Sequence, residues 1–195
     1  MKRIAEIERR TNETRIRTRL NLDGVGKPDV TTGIGFFDHM LTLLSVHSVM
    51  DLTVEAHGDV EVDFHHTVED VGLVIGQAIN AALGDRKGIW RYGHAVIPMD
   101  DALAQVTVDL SNRPFFKIEL PTPLPRQNDF DASLANEFFR AFTNKGGMNL
   151  HVRVLYGDNW HHMIEAVFKG MGRALRKAVA FDNRVVGIPS SKGTL

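Results

Sequence analysis

Cysteine is missing from all 195 residues. Its absence excludes disulfides, thiolate zinc sites, iron–sulfur clusters and thiol nucleophiles together. No apolar run approaches the roughly 18 residues needed to cross a bilayer. The opening segment MKRIAEIERRTNETRIRTRL alternates charges and lacks the apolar core of a secretory signal. Neither charge dominates: 23 Lys and Arg against 24 Asp and Glu leave a formal charge of −1, so there is no electrostatic footprint for nucleic acid or an anionic membrane. A cytoplasmic protein is expected, with neither nucleic acid nor membrane as a partner. Any metal it binds must use His, Asp and Glu.

What is present is a repeat. HHTVED at 65–70 recurs as HHMIEA at 161–166, an offset of 96. Extending that alignment over 63–83 and 159–179 matches His65/His161, His66/His162, Glu69/Glu165, Val71/Val167, Gly76/Gly172, Ala78/Ala174 and Ala82/Ala178. The flanking patterns repeat in order. In the first half, 3–10 and 14–22 read as strands, with Ile16, Thr18, Leu20 and Leu22 on one face at period two. Residues 36–47 read as a helix, 51–57 as a strand and 65–83 as a helix stopped at Gly84. In the second half, 104–110 and 115–120 read as strands, 132–144 as a helix ended by Gly146-Gly147, 149–156 as a strand and 161–180 as the last helix.

The expected fold is α/β of the two-layer α+β kind: internally duplicated ββαβα units, with helices packed between two mixed four-stranded sheets. The chain reads as a single domain, 1–195, of two pseudo-repeats at about 1–90 and 91–187 with a polar tail at 188–195. A lone unit would leave half its apolar surface wet, so the two units pair within the chain.

The doubled HHxxE carries the chemistry. Residues four apart lie on one helix face, so His65 with Glu69, and His161 with Glu165, can each converge on one ion. His66 and His162 point about 100° away and face a second ion. Imidazole and carboxylate without thiolate suit Mn, Fe, Ni or Zn. His39, in GFFDHML, has a counterpart near Glu137 in NEFFRAF, and both can complete metal spheres. His47, eight residues beyond His39, lines the same cleft or sits on the surface. His57, His94 and His151 lack a partner pattern and read as structural or solvent-facing.

Taken in order, GFFDHML, FHHTVED, RYG, PMDDALA, SNRP, LYGDNWHHMIEAVFKG and the terminal SSKG resemble the imidazoleglycerol-phosphate dehydratase family along nearly the whole chain. The resemblance implies a hydro-lyase of histidine biosynthesis, in its monofunctional form. D-erythro-imidazole glycerol phosphate would lose water to give imidazole acetol phosphate. It also implies two Mn²⁺ ions per active site and a homo-oligomer of 24 subunits built from trimers. The family's metal ligands map onto His39, His65, His66, Glu69, Glu137, His161, His162 and Glu165. Many members carry His where this chain has Glu137, and a carboxylate can still bind Mn²⁺. Leu43 and Phe64 also replace residues more often polar in the family.

The C–H bond to be broken is not beside a carbonyl, so on this resemblance the imidazole ring can serve as the electron sink instead, as an imidazolate held by the two ions. A base must then reach the C2 proton. Glu13, in TNET, is either a solvated turn residue or that base, and the resemblance places it in the active site. Asp101, at an offset of 88 from Glu13, is the competing acid or base, or else the support of a ligand. Cations for the phosphate, by the same resemblance, are Arg91, Arg113, Lys169 and Lys192, with Ser191 beside the last. Ligands on two helices facing different ions imply sites shared between subunits. Two other readings use the same inventory: a dinuclear metal phosphatase, and a non-catalytic cage protein assembled by metal.

Overall fold

Thr14, Ile16, Thr18 and Leu20 are buried while Arg15, Arg17 and Arg19 between them are exposed, the period-two pattern of a strand with one wet face. The same alternation recurs through both halves of the computed structural model, which describes residues 2–195. In chain order the elements are β1 (Ile4–Arg10), β2 (Thr14–Asn21), β3 (Pro28–Thr31), α1 (Gly35–Ser48), β4 (Asp51–Gly58) and α2 (His65–Leu83). The second half supplies β5 (Tyr92–Met99), β6 (Ala102–Asp109), β7 (Phe115–Glu119), α3 (Ala132–Gly146), β8 (Asn149–Tyr156) and α4 (Trp160–Val179).

Each half builds one four-stranded sheet, ordered β1-β2-β4-β3 and β5-β6-β8-β7. In each, the last strand of the order runs parallel to its neighbour and the other pairs are antiparallel. The α+β architecture with two mixed sheets is as expected, but the repeating unit is βββαβα rather than ββαβα. The two strands not read from the sequence, β3 and β5, both lie at sheet edges. β3 has four residues and begins with Pro28; β5 carries Gly93 and Pro98. Proline cannot donate to a ladder and is tolerated at an edge, so edge strands escape the composition rule that finds central ones.

The helices fill the space between the sheets, α1 and α2 against the first, α3 and α4 against the second, and they meet as the pairs α1–α4 and α2–α3. Both pairs touch backbone to backbone through equivalent glycines. A Cβ on Gly172 would stand 2.9 Å from the Leu44 carbonyl oxygen, and one on Gly76 2.4 Å from that of Phe142. Any larger residue would push the helices apart. These contacts fix α1 on α3 at an offset of 98, which sets His39 opposite Glu137. Phe37, Phe138 and Phe168 from three helices, with Phe130 from the loop before α3, form the centre of the core, their ring centroids 5.2 to 5.4 Å apart along the chain of contacts. Among the described residues, no helix is long and apolar enough to cross a membrane.

Candidate active site

Both HHxxE segments open a helix that follows the exit of a central strand, and local capping fixes where each helix begins. The Asn159 side chain accepts the backbone N–H groups of His161 (2.9 Å) and His162 (3.4 Å). The Asp63 carboxylate accepts the His65 N–H at 2.7 Å. Asp38 anchors the start of α1 by accepting the amide and hydroxyl of Thr32, at 2.8 and 2.6 Å, which places His39 on the face turned to α4.

One cluster is closed. His39, His161 and Glu165 present donor atoms that all lie within 4.8 Å of one another. Glu165 Oε2 stands 3.0 Å from His161 Nε2 and 3.4 Å from His39 Nε2, while Oε1 accepts from Lys169 Nζ at 2.6 Å. Burial works to raise the Glu165 pKa, but Lys169 and the two imidazoles outweigh it and leave the carboxyl lowered. Glu165 is buried, whereas the two histidine side chains stay about half open to solvent. Two imidazole nitrogens and one carboxylate oxygen, with no thiolate, match the donor set that borderline divalent ions take. The residues present therefore fit a metal such as manganese.

The equivalent cluster in the other helix pair is looser. His65 Nε2 lies 3.8 Å from Glu69 Oε2, so the i,i+4 pair is brought together as its spacing requires. Glu137, from α3, is joined to this pair through Arg140, which bonds Glu137 and lies 3.7 Å from Glu69 Oε1. His66 and His162 turn to the other faces, as expected. Each is held through Nδ1 by a loop carboxylate: His66 by Asp59 at 3.0 Å, His162 by Asp101 at 2.5 Å. These bonds raise both histidine pKa values. They also leave Nε2 as the ring atom free to face outward, the arrangement by which carboxylates orient ligating imidazoles.

The two candidate bases differ in setting. Asp101 accepts from His162 and from the amides of Asp158 (2.6 Å) and Asn159 (3.0 Å), and together these hold its pKa at about 2. A carboxylate so satisfied is a poor proton acceptor and a good support. Glu13 is half-exposed, with Oε1 3.9 Å from the outward Nε2 of His66. Asp100 takes the corresponding place in the other half, 3.6 Å from His162 Nε2, on a left-handed backbone at φ 46°.

The cations expected for the phosphate divide between two regions. Lys169 and His47 lie along α1–α4 with the closed cluster. Burial first, and then the Lys169 and Arg173 charges, push the His47 pKa down. Arg91 is buried and bonded to Asp109 through Nε (2.7 Å) and Nη2 (3.1 Å), and donates from Nη1 to the Pro189 carbonyl at 2.9 Å. Arg113 follows the same end of β6 and donates to Ser111, while Ser191 and Lys192 lie exposed on the tail beyond Pro189. Asp101 just precedes β6 and Asp109 ends it, roughly 27 Å apart at about 3.4 Å per residue. The structure thus brings His39, His161, Glu165 and Lys169 together and does not bring Arg91, Arg113, Ser191 or Lys192 to them within one chain.

Sequence reasoning missed Asp59, Asp100, Asp109 and Arg140. Asp59 and Asp100 do precede the HH motifs or the central strands in loops, but a loop carboxylate has no periodicity to mark it. His57, His94 and His151 are exposed, as read.

Comparison with known proteins gives consistent results. Residues 32–175 match the family model described as imidazoleglycerol-phosphate dehydratase. A protein of that description from Syntrophobacter fumaroxidans is 56% identical over 194 residues, covering 100% of this chain and 98% of its own. Another from Trichlorobacter lovleyi is 55% identical over 195 residues, covering both chains fully. Among solved structures, the Staphylococcus aureus imidazoleglycerol-phosphate dehydratase superposes with a TM-score of 0.82 at 37% identity, covering 92% of this chain and 99% of that one. The Pyrococcus furiosus enzyme in complex with (S)-C348 gives 0.85 at 34% identity, covering 97% and 100%.

Proposed function

Because the chain belongs to the imidazoleglycerol-phosphate dehydratase family and is a hydro-lyase of histidine biosynthesis, we propose that it removes water from imidazole glycerol phosphate at a two-ion site shared between subunits. The observation that carries this reading is the convergence of His39, His161 and Glu165, from two helices, within 4.8 Å. We take the ions to be Mn²⁺, one drawing on that cluster and one on His65, Glu69 and Glu137, with His66 and His162 adding nitrogens. When bound, such ions supply Lewis acidity that holds the heterocycle and stabilises charge on it. The family membership sets aside the phosphatase and the non-catalytic cage.

The chain's own residues do the rest. Asp59 and Asp101 keep a proton on Nδ1 of His66 and His162, so that Nε2 faces the site with its lone pair. Glu13, whose carboxylate lies beside His66 Nε2 and makes no strong bond to an orienting group, takes the proton from C2 of the substrate. Lys169, anchored by Glu165, meets the phosphate end as a point charge. Arg91, Arg113, Ser191 and Lys192 reach that phosphate from a neighbouring chain, since β6 holds them too far away within their own. Assembly, which we take to be a 24-mer of trimers in the cytoplasm, is on this reading a condition for activity.

The test is a spectrophotometric assay for the keto product, with Mn²⁺ returned to chelator-treated protein. Ketone formed with its phosphate retained, and only after the ion is restored, supports the proposal. Turnover unaffected by complete chelation would contradict it.

A further inference from the structure

The two clusters are related by the internal repeat, yet they are not equal, and one residue makes the difference. The offset of 98 between Leu44 and Phe142, set by the glycine contacts, pairs His39 with Glu137 and Thr42 with Arg140. The first helix pair therefore has an uncharged residue where the second has a guanidinium.

Glu165 and Glu69 each lie beside an imidazole and a cation. Glu165 does so without conflict: Lys169 sits one turn along the same helix and engages Oε1, which leaves Oε2 to His39 and His161. On the second pair the cation comes from α3 and, besides taking Oε1 of Glu69, ties that carboxylate to Glu137, the counterpart of His39. Arg140 Nη2 contacts both Glu137 Oε2 and Glu69 Oε1, and the Glu69 Oε2–His65 separation is 3.8 Å against 3.0 Å for the equivalent Glu165–His161 pair. Within the chain Arg140 is 50% exposed and Glu137 16% exposed, so the guanidinium is the less confined of the two.

We propose that Arg140 is a built-in competitor for the divalent ion at the His65–Glu69–Glu137 cluster. It makes the two ion sites unequal in affinity, with the His39–His161–Glu165 site filling first. A guanidinium that bridges Glu69 to Glu137 already balances their charge, so an ion binding at the second cluster must work against that positive charge or displace it. The inference rests on the reading of Glu69 and Glu137 as ligands, and it names the residue that sets the order of loading.

The experiment is a Mn²⁺ titration of the full-length, chelator-treated protein, following free Mn²⁺ by electron paramagnetic resonance, for wild type, Arg140→Ala and Arg140→Lys. Wild type should bind two ions per chain with distinct affinities. Arg140→Ala should tighten the weaker site by about 1.5- to fivefold, the range set by removing a half-exposed ion pair, and leave the tighter site unchanged. Arg140→Lys should lie between. Adding Glu137→Gln should remove the response, which assigns it to this cluster. Equal wild-type affinities, or a weaker site that is unmoved or loosened in Arg140→Ala, would overturn the competitor role and make Arg140 a support. Fewer than two ions bound by wild type would instead overturn the two-ion reading itself.

Discussion

Asp101, just ahead of β6, and Asp109, at its far end, each hold a residue of the proposed site: the first bonds His162 at 2.5 Å, the second Arg91 at 2.7 Å. A rigid strand thus keeps the histidine proposed to face an ion and the arginine proposed to face the phosphate far apart within one chain. Two chains arranged so that opposite ends meet would restore the pair. Mixing Glu13→Gln chains with Arg113→Ala chains, each inactive alone, and reassembling them should therefore regenerate some sites with both defects in one place and others with neither. Recovered turnover in the mixture is the expected result; an inactive mixture would put both residues in the same chain's site.

Glu13 and Asp101 should separate cleanly by kinetics. Glu13→Gln removes the proposed proton acceptor but no proposed metal support, so turnover is expected to drop about 10²- to 10⁴-fold, with Mn²⁺ content and assembly unchanged. Normal turnover in that variant would move the base elsewhere.

Asp101→Asn should act through the metal. Losing the carboxylate that orients His162 is expected to weaken Mn²⁺ binding by about 10- to 100-fold, with much of the activity restored by excess ion. If saturating Mn²⁺ restores nothing, Asp101 touches the reaction directly.

The same aspartate gives a pH signature. Its pKa is lowered to about 2 by His162 and two backbone amides. A carboxyl depressed in the folded state contributes stability above its unfolded pKa, near 4, and loses it as pH falls through the folded value. The stability gap between wild type and Asp101→Asn, in chelator-treated protein, should be full at pH 6 and shrink steadily from about pH 4 towards pH 2. His162, raised by the same bond, adds a contribution that is present in acid and fades as pH rises through its elevated folded pKa. Chemical denaturation across that range measures both; a gap constant with pH would mean that the bond contributes nothing.

Phe138 is fully buried where α1, α3 and α4 meet, against Phe37 and Phe168. Phe138→Ala should cost about 3–5 kcal/mol of stability. Because Glu137 precedes it, metal binding at the second cluster should weaken with it. A denaturant midpoint within error of wild type would show the aromatic centre to be dispensable.

How legible all this is in the sequence depends on the kind of signal. The helices, the central strands and the pairing of His65 with Glu69 and His161 with Glu165 follow from periods that side-chain burial enforces, and these the sequence shows. The duplication shows too, because the glycines at 76 and 172 must stay small where helices touch. Edge strands β3 and β5 do not show, since an edge tolerates the Pro28, Gly93 and Pro98 that mark a loop elsewhere. Loop carboxylates such as Asp59 and Asp100 do not show either, for they meet their histidines by tertiary placement alone. Arg140 reads as one surface cation among 23 basic residues until its opposite number, Thr42, is identified in space.

The most direct measurement is anomalous scattering at the manganese edge from crystals of the assembled protein grown with Mn²⁺. Two peaks per chain are expected, one within bonding distance of His161 and Glu165 and the other of His65 and Glu69, with Arg91 or Arg113 of another chain facing the same cavity. Crystals in which those four residues face solvent, with no ion beside them, would contradict the account at its root.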